Sequence, residues 1–245
     1  MTNLWTQDIL TIKTALGDQM RLVGGCVRDF ILNKEPDDID IATPLPIMEV
    51  SLCLKKHGIQ SKIIAPRHGV IMAILGKTAY EITTLRREIY SDENHEHISF
   101  ITDYEEDSFR RDFTMNALYM DSDNTIYDYH NGLEDLKNKQ VRFIGNPFER
   151  IKQDPLRILR YLRFWGNFGG DKPDKSVLEC FTDLKDGLKN ISRGRKQKEI
   201  EKIIKSKRCL EIITVINDFG LWPFIAPNSK KPITLLTSKE ILTQI

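Results

Sequence analysis

No apolar run in the chain approaches the ~20 residues that a bilayer crossing needs. The opening MTNLWTQDILTIK lacks the basic flank, apolar stretch and small-residue cleavage site of a secretory signal, so the sequence predicts a cytoplasmic address. The four cysteines, Cys26, Cys53, Cys180 and Cys209, never form a CxxC pair. That spacing argues against a zinc ribbon or a disulfide framework and predicts buried free thiols. Neither GxxxxGK[ST] nor GxGxxG occurs, which excludes a P-loop and a Rossmann dinucleotide turn, and there is no repeat, low-complexity tract or Gly/Ser linker. What is present is core material: with 245 residues, 40% hydrophobic and 29% charged, the chain can bury one large core or two modest ones.

The overall charge is close to neutral, but it divides unevenly. Residues 1–140 carry 15 Lys and Arg against 23 Asp and Glu, and residues 141–245 carry 21 against 12. An acidic half suits a cation and a basic half suits a polyanion, although charged helix faces alone would produce the same totals. Secondary structure changes at nearly the same place. Residues 20–145 alternate β-branched runs (MRLVGG, DDIDIAT, SKIIA, GVIMAIL, AYEITTLR, NALYMD, TIYDY) with short helical stretches. Gly76-Lys77 marks a hairpin turn, and REIYSDENHEHISFITDYEED reads as a polar mobile loop. From Pro147 onward the pattern is helical, so the predicted domains are 1–145 and 146–245.

Three clusters carry chemistry. Asp38 and Asp40 lie two apart in the predicted strand DDIDIAT, where period-two geometry puts both carboxylates on one face. Either they are solvated charges of an exposed strand, or their repulsion is relieved by a hard divalent cation such as Mg²⁺. Upstream, Gly24, Gly25 and Arg28 occupy a strand-to-helix turn, where backbone N–H groups and a guanidinium can meet phosphate oxygens. Glu81, on a neighbouring predicted strand, is either a third carboxylate of that site or an exposed strand residue. In RRDFTMN, Arg110 and Arg111 suit phosphate or base, and Asp112 and Asn116 suit ribose hydroxyls; a structural Arg–Asp pair is the competing reading.

In KQDPLRILRYLRFWG, Asp154, Arg157, Arg160 and Arg163 recur every three residues beside an apolar row. A carboxylate accepting from an exocyclic amine, with a guanidinium donating to the adjacent ring nitrogen, would select cytosine and adenine over uracil and guanine. Against this stand an Asp154 N-cap with Pro155 at the first helical position, and a solvated arginine row.

Taken in order, LVGGCVRD, DDIDIAT, EITTLRRE, RRDFTMNALYMD, DYHNGLEDL and VRFIGNPFERIKQDPLRILRYLRF closely resemble the bacterial and eukaryotic class of CCA-adding tRNA nucleotidyltransferases and their poly(A) polymerase relatives. The resemblance implies an α+β fold with a DNA polymerase β-like nucleotidyltransferase head, followed by an all-α neck and a truncated body or tail. It implies template-independent addition of C and A from CTP and ATP to a tRNA 3′ end, with pyrophosphate released by two-metal phosphoryl transfer. It assigns Mg²⁺ to Asp38 and Asp40, the triphosphate to Gly25 and Arg28, ribose and nucleotide contacts to Arg111, Asp112 and Asn116, and base reading to Asp154 and Arg157, with Arg160 and Arg163 nearby.

The chain departs from the family pattern in places. Gln153 stands where the family has Glu, which predicts weaker orientation of Arg157 and looser base discrimination. Gly194 also replaces a common Glu. Little sequence follows the neck-like ISRGRKQKEIEKIIKSKRCLEIITVINDFGLWPFIAP, which predicts salt-dependent RNA binding or reliance on an accessory chain or oligomer. The Tyr90–Phe100 loop has family-like length, a feature the resemblance links to adding the terminal A; His95 and His97 within it are metal ligands or plain surface residues. Two alternatives stay open: an A-adding enzyme or poly(A) polymerase, and a non-catalytic RNA-binding remnant.

Overall fold

The computed structural model describes residues 3–90 and 96–245. The chain divides into two compact units, Met1–Leu133 and Glu134–Ile245. In the first unit, α1 (Gln7–Leu16) starts where the Thr6 side chain accepts from the Ile9 N–H and buries Ile9, Ile12 and Leu16 at helical spacing. Then follow β1 (Arg21–Val23), α2 (Gly25–Ile31), β2 (Asp40–Thr43), α3 (Ile47–Lys56), β3 (Gln60–Ala65), β4 (Val70–Leu75) and β5 (Thr78–Thr84). The series continues through β6 (Arg86–Tyr90), β7 (Glu96–Phe100), α4 (Tyr104–Ser108), β8 (Leu118–Met120) and β9 (Ile126–Asp128).

Seven strands form one mixed sheet in the order β3-β4-β5-β2-β1-β8-β9. β2 pairs parallel with β5, and the remaining neighbours pair antiparallel. Side chains alternate across the sheet, so Ile41 enters the main core with Ile9, Val27, Leu54 and Ile82, whereas Ala42 joins Val23, Leu85 and Tyr119 in a smaller cluster. Each fully buried Ile or Leu in such a core contributes about 1.5–3 kcal/mol.

The predicted polar loop after β5 is in part a hairpin: β6 and β7 pair antiparallel from Arg86↔Phe100 to Tyr90↔Glu96. Its charge density obscured a two-residue alternation in which the more buried Ile98 sits between exposed His97 and Ser99. His97 is therefore a surface residue of β7, and His95 lies outside the described residues.

The second unit is helical: α5 (Gly132–Lys137), which starts at the division, then α6 (Pro147–Gln153), α7 (Arg157–Phe168), α8 (Lys175–Leu184), α9 (Arg193–Ile204), α10 (Cys209–Asp218), α11 (Trp222–Ile225) and α12 (Ser238–Gln244). α6 begins at an Asn146 cap with Pro147 in the first turn. α7 buries Ile158, Leu159, Tyr161, Leu162 and Trp165, and a Cβ at Gly166 would fall 2.5 Å from Ile212 Cδ1 of α10, so the two helices approach closely at this glycine and a larger residue would oblige the Ile212 side chain to move. Among the described residues, no helix is long and apolar enough to cross a membrane. All four cysteines are free, but only Cys26 is fully buried, which corrects the expectation for the other three. Burial pushes the Cys26 thiol up to about 11.

Candidate active site

Sheet register assembles the first unit's polar centre. Glu81 of β5, Asp40 of β2, Val23 of β1 and Tyr119 of β8 are successive cross-strand partners, so their side chains leave one face of the sheet. β2 begins at Asp40, and Asp38 precedes it outside the strand rather than within it as predicted. The three carboxylates are nevertheless electrostatic neighbours. Desolvation by the surrounding protein, then the charges of Glu81 and Asp38, push Asp40 up to about 6, while Arg111 opposes the shift. All three residues remain exposed. Thr83 Oγ1 donates to Glu81 at 3.4 Å.

Among the described residues, no group of three His, Cys, Asp or Glu side chains closes into a metal cage. A hard cation that takes one or two carboxylates and completes its shell with water and phosphate oxygens needs no such cage. Crowded acidic oxygens, among which Asp40 has its proton affinity raised by desolvation and by the charges of its neighbours, are a donor set that fits such an ion.

Gly24 closes β1 with φ 80° and ψ −127°, a conformation that a side chain would strain. Among the described residues no side chain caps α2, which leaves its first-turn N–H groups without that usual partner, and an added Cβ at Gly24 would lie 3.6 Å from Arg111 Nη1. The turn and the RRD segment are therefore adjacent. Arg28, 8% exposed, forms a two-point contact with Asp29 (3.0 and 2.9 Å) and donates to Asn116 Oδ1 at 2.7 Å. Asn116 donates in turn to Asp112 at 3.0 Å. This Asp29–Arg28–Asn116–Asp112 chain ties α2 to the 110–116 motif, and it engages the Arg28 guanidinium within the protein.

Sequence reasoning missed the support beneath Arg111. Asp107 of α4 is wholly buried and accepts from Arg86 N (3.0 Å), Arg110 Nε (2.8 Å), Arg111 Nη2 (3.3 Å) and the Tyr119 hydroxyl (2.7 Å). Burial alone would raise its pKa, but Arg110 and Arg111 outweigh burial and hold Asp107 at about 2.

The second unit holds the remaining predicted residues. Asp154 ends α6; its Oδ1 accepts from Leu156 N at 3.2 Å and its Oδ2 pairs with Arg195 of α9 at 2.7 Å. One oxygen thus serves a cap-like turn and the other meets a guanidinium, so the local turn reading describes only half of the group. Arg157, 7% exposed, donates to Arg150 O at 2.7 Å and to Gln153 Oε1 at 3.1 Å, and the same amide oxygen accepts from Arg150 at 2.6 Å. Arg160 and Arg163 form ion pairs with Glu199 of α9 at 3.4 and 2.8 Å. Arg157 is therefore engaged with α6 and Arg160 and Arg163 with α9, so the row is not a solvated stripe. A cavity of about 290 Å³ in this unit, lined by residues such as Lys139, Tyr161, Trp165 and Lys172, contains none of the predicted site residues.

A family model described as the poly(A) polymerase head domain matches residues 20–142. The chain belongs to that family. Human mitochondrial CCA tRNA nucleotidyltransferase 1 is 38% identical over 242 residues, covering 90% of this chain and 56% of that protein. The Bacillus stearothermophilus CCA-adding enzyme, solved in complex with CTP, superposes with a TM-score of 0.80 at 27% identity, covering 94% of this chain and 56% of that one. A tRNA nucleotidyltransferase solved with a primer tRNA and an incoming ATP analogue superposes with a TM-score of 0.70 at 30% identity, covering 90% and 63%. The resemblance read from the sequence, including the nucleotidyltransferase head and the helical region after it, is thereby shown. The chain spans about half the length of the curated relatives it matches.

Proposed function

We propose that this protein is a template-independent tRNA 3′-end nucleotidyltransferase that adds C and A from CTP and ATP and releases pyrophosphate. The observation that carries this reading is the convergence of Asp38, Asp40 and Glu81 opposite Arg111, beside the uncapped Gly24 turn. In this reading Asp38 and Asp40 hold Mg²⁺, with Glu81 as the third carboxylate. Bound there as a pair, Mg²⁺ ions supply activation of the RNA 3′-hydroxyl and charge stabilisation of the leaving pyrophosphate.

The chain's own groups bind and orient. The N–H groups following Gly24, at Gly25 and beyond, meet phosphate oxygens, and Arg111 adds a charge-assisted donor. Asp112 and Asn116, fixed by Arg28, address the ribose. Asp154 and Arg157 read the base edge; Asp154 exchanges Arg195 for a cytosine or adenine amine, and Arg160 and Arg163 fix the helix that carries Arg157. The head functions as 1–145, and the basic helical part, 146–245, contacts the RNA backbone.

The test is incorporation of each of the four nucleotides, with Mg²⁺ present, into tRNA transcripts ending at the discriminator base, at C and at CC. Sequential C, C and A addition is expected. A addition to the CC transcript alone, or long A tails on unrelated RNA, would support instead an A-adding enzyme or poly(A) polymerase. No incorporation into any transcript would reject both.

A further inference from the structure

Arg110 and Arg111 are consecutive, and one buried carboxylate holds both, yet they serve different surroundings. Arg110 contacts Asp107 at 2.8 Å and approaches Glu88 of β6 at 4.0 Å, while the Arg86 N–H at the start of β6 also ends on Asp107. Arg111 turns the other way. Its Nε donates to the Tyr119 hydroxyl at 3.1 Å, its Nη2 reaches Asp107 at 3.3 Å, and its Nη1 faces the Gly24 turn. The Tyr119 hydroxyl in turn donates a hydrogen bond to Asp107 at 2.7 Å, so carboxylate, phenol and guanidinium close a ring behind the Arg111 side chain. Ahead of Arg111 lies a second attraction, the Asp40 carboxylate, whose proton affinity it lowers.

We propose that Asp107 is the positioning residue for Arg111: it keeps the guanidinium beside the Gly24 turn, available to a nucleotide triphosphate, and prevents it from collapsing onto the Asp38–Asp40–Glu81 carboxylates. This inference rests on the reading above that Arg111 meets the triphosphate. A flexible arginine between two acidic centres settles on whichever holds it better, and a buried carboxylate with no water to screen it wins over an exposed one. Asp107 touches neither nucleotide nor metal in this scheme and acts only through Arg111, with Tyr119 as the bridge.

CTP binding to the full chain in the presence of Mg²⁺, followed by calorimetry, tests this in a double-mutant cycle of Asp107→Asn with Arg111→Ala, with folding checked by circular dichroism. Asp107→Asn is expected to weaken CTP binding by about tenfold, and in the Arg111→Ala background to add little further, because residues that act as a unit are non-additive. A purely structural Asp107 would give additive losses. Should Asp107→Asn fail to fold, the cycle of Tyr119→Phe with Arg111→Ala replaces it, with a loss of about threefold expected for Tyr119→Phe alone and none beyond Arg111→Ala. Additivity in a folded pair, or CTP affinity of folded Asp107→Asn within about twofold of wild type, overturns the proposal. CTP binding with the expected coupling but no incorporation into tRNA would reject the functional reading and leave the Asp107 role standing. Incorporation with additive binding losses would do the reverse, and absence of CTP binding by the wild type would overturn both.

Discussion

Asp40 and Asp107 belong to the same compact unit, and their proton affinities run opposite to their burial. Asp40 is exposed on a strand end, yet its carboxyl is pushed up to about 6. Asp107 has no exposed surface, yet is held at about 2. Desolvation raises both, so the difference comes from the neighbours: two more carboxylates beside Asp40, and two guanidiniums with a backbone N–H and a phenol around Asp107. A site that keeps like charges together at a cost to folding is one poised for a counter-ion; a site that satisfies its charge internally is scaffold.

The sharpest way to break this contrast is to neutralise each carboxylate in turn. Asp40→Asn is expected to lower single-turnover nucleotide incorporation on the order of 10³-fold while raising the melting temperature, because it removes repulsion along with the metal ligand. A lowered melting temperature would place Asp40 with the scaffold. Asp107→Ala is expected to destabilise the fold by about 3–5 kcal/mol in urea titrations, the usual cost of leaving buried charges unpaired. A loss within ~0.5 kcal/mol, typical of surface substitutions, would show that the hub contributes nothing.

Proton linkage should separate the two groups without mutation. The folded pKa of Asp107 lies below its unfolded value, so its contribution, on the order of 2 kcal/mol, is complete above about pH 4 and lost as pH falls through about 2. Asp40 has the opposite sign. Its folded pKa is raised, so the folded state binds the extra proton between about pH 4 and 6 and stability declines as pH rises through that window. Urea midpoints across pH 2–7 should therefore rise, then fall, with the falling limb flattened by millimolar Mg²⁺ or by Asp40→Asn. A falling limb unchanged by both would assign it elsewhere.

The smallest expected effect carries the comparison into the second unit, where the neutral Gln153 oxygen serves Arg150 and Arg157 together. Gln153→Glu adds the missing charge and is expected to raise the preference for CTP and ATP over UTP and GTP severalfold, about 1 kcal/mol, in competition assays. Equal selectivity would dismiss the substitution as a cause of looser base reading.

Much of this arrangement was legible in the residues. Alternation in VIMAIL and EITT, the glycine turn before CVRD and the apolar spacing of LRILRYLRFW announce strands, a strand-to-helix turn and a buried helix, because each pattern reports a local period. The carboxylates and RRD were legible as candidates for the same reason. Asp107 was not: in YEEDSFRRD it reads as one more acid in the solvated first turn of a helix, and nothing local distinguishes it from half-buried Glu106, whose carboxylate meets Arg87. Nor were the α9 partners of the 154–163 row legible, since Arg195 and Glu199 lie some forty residues away in a segment that reads simply as basic. The β6–β7 hairpin escaped because its polar residues resemble those of a loop.

The sequence by itself determined which stretches become strands and helices and which side chains have the chemistry to bind a cation, a phosphate or a base, since these depend on neighbours a few residues apart. Only the tertiary structure decided which charges repel and which are satisfied. Glu81 reaches Asp40 through a parallel pairing of strands distant in sequence, and Asp107 becomes a hub only once α4 carries it under Tyr119. Proton affinity and orientation depend on distance and dielectric, and neither exists until the chain has folded.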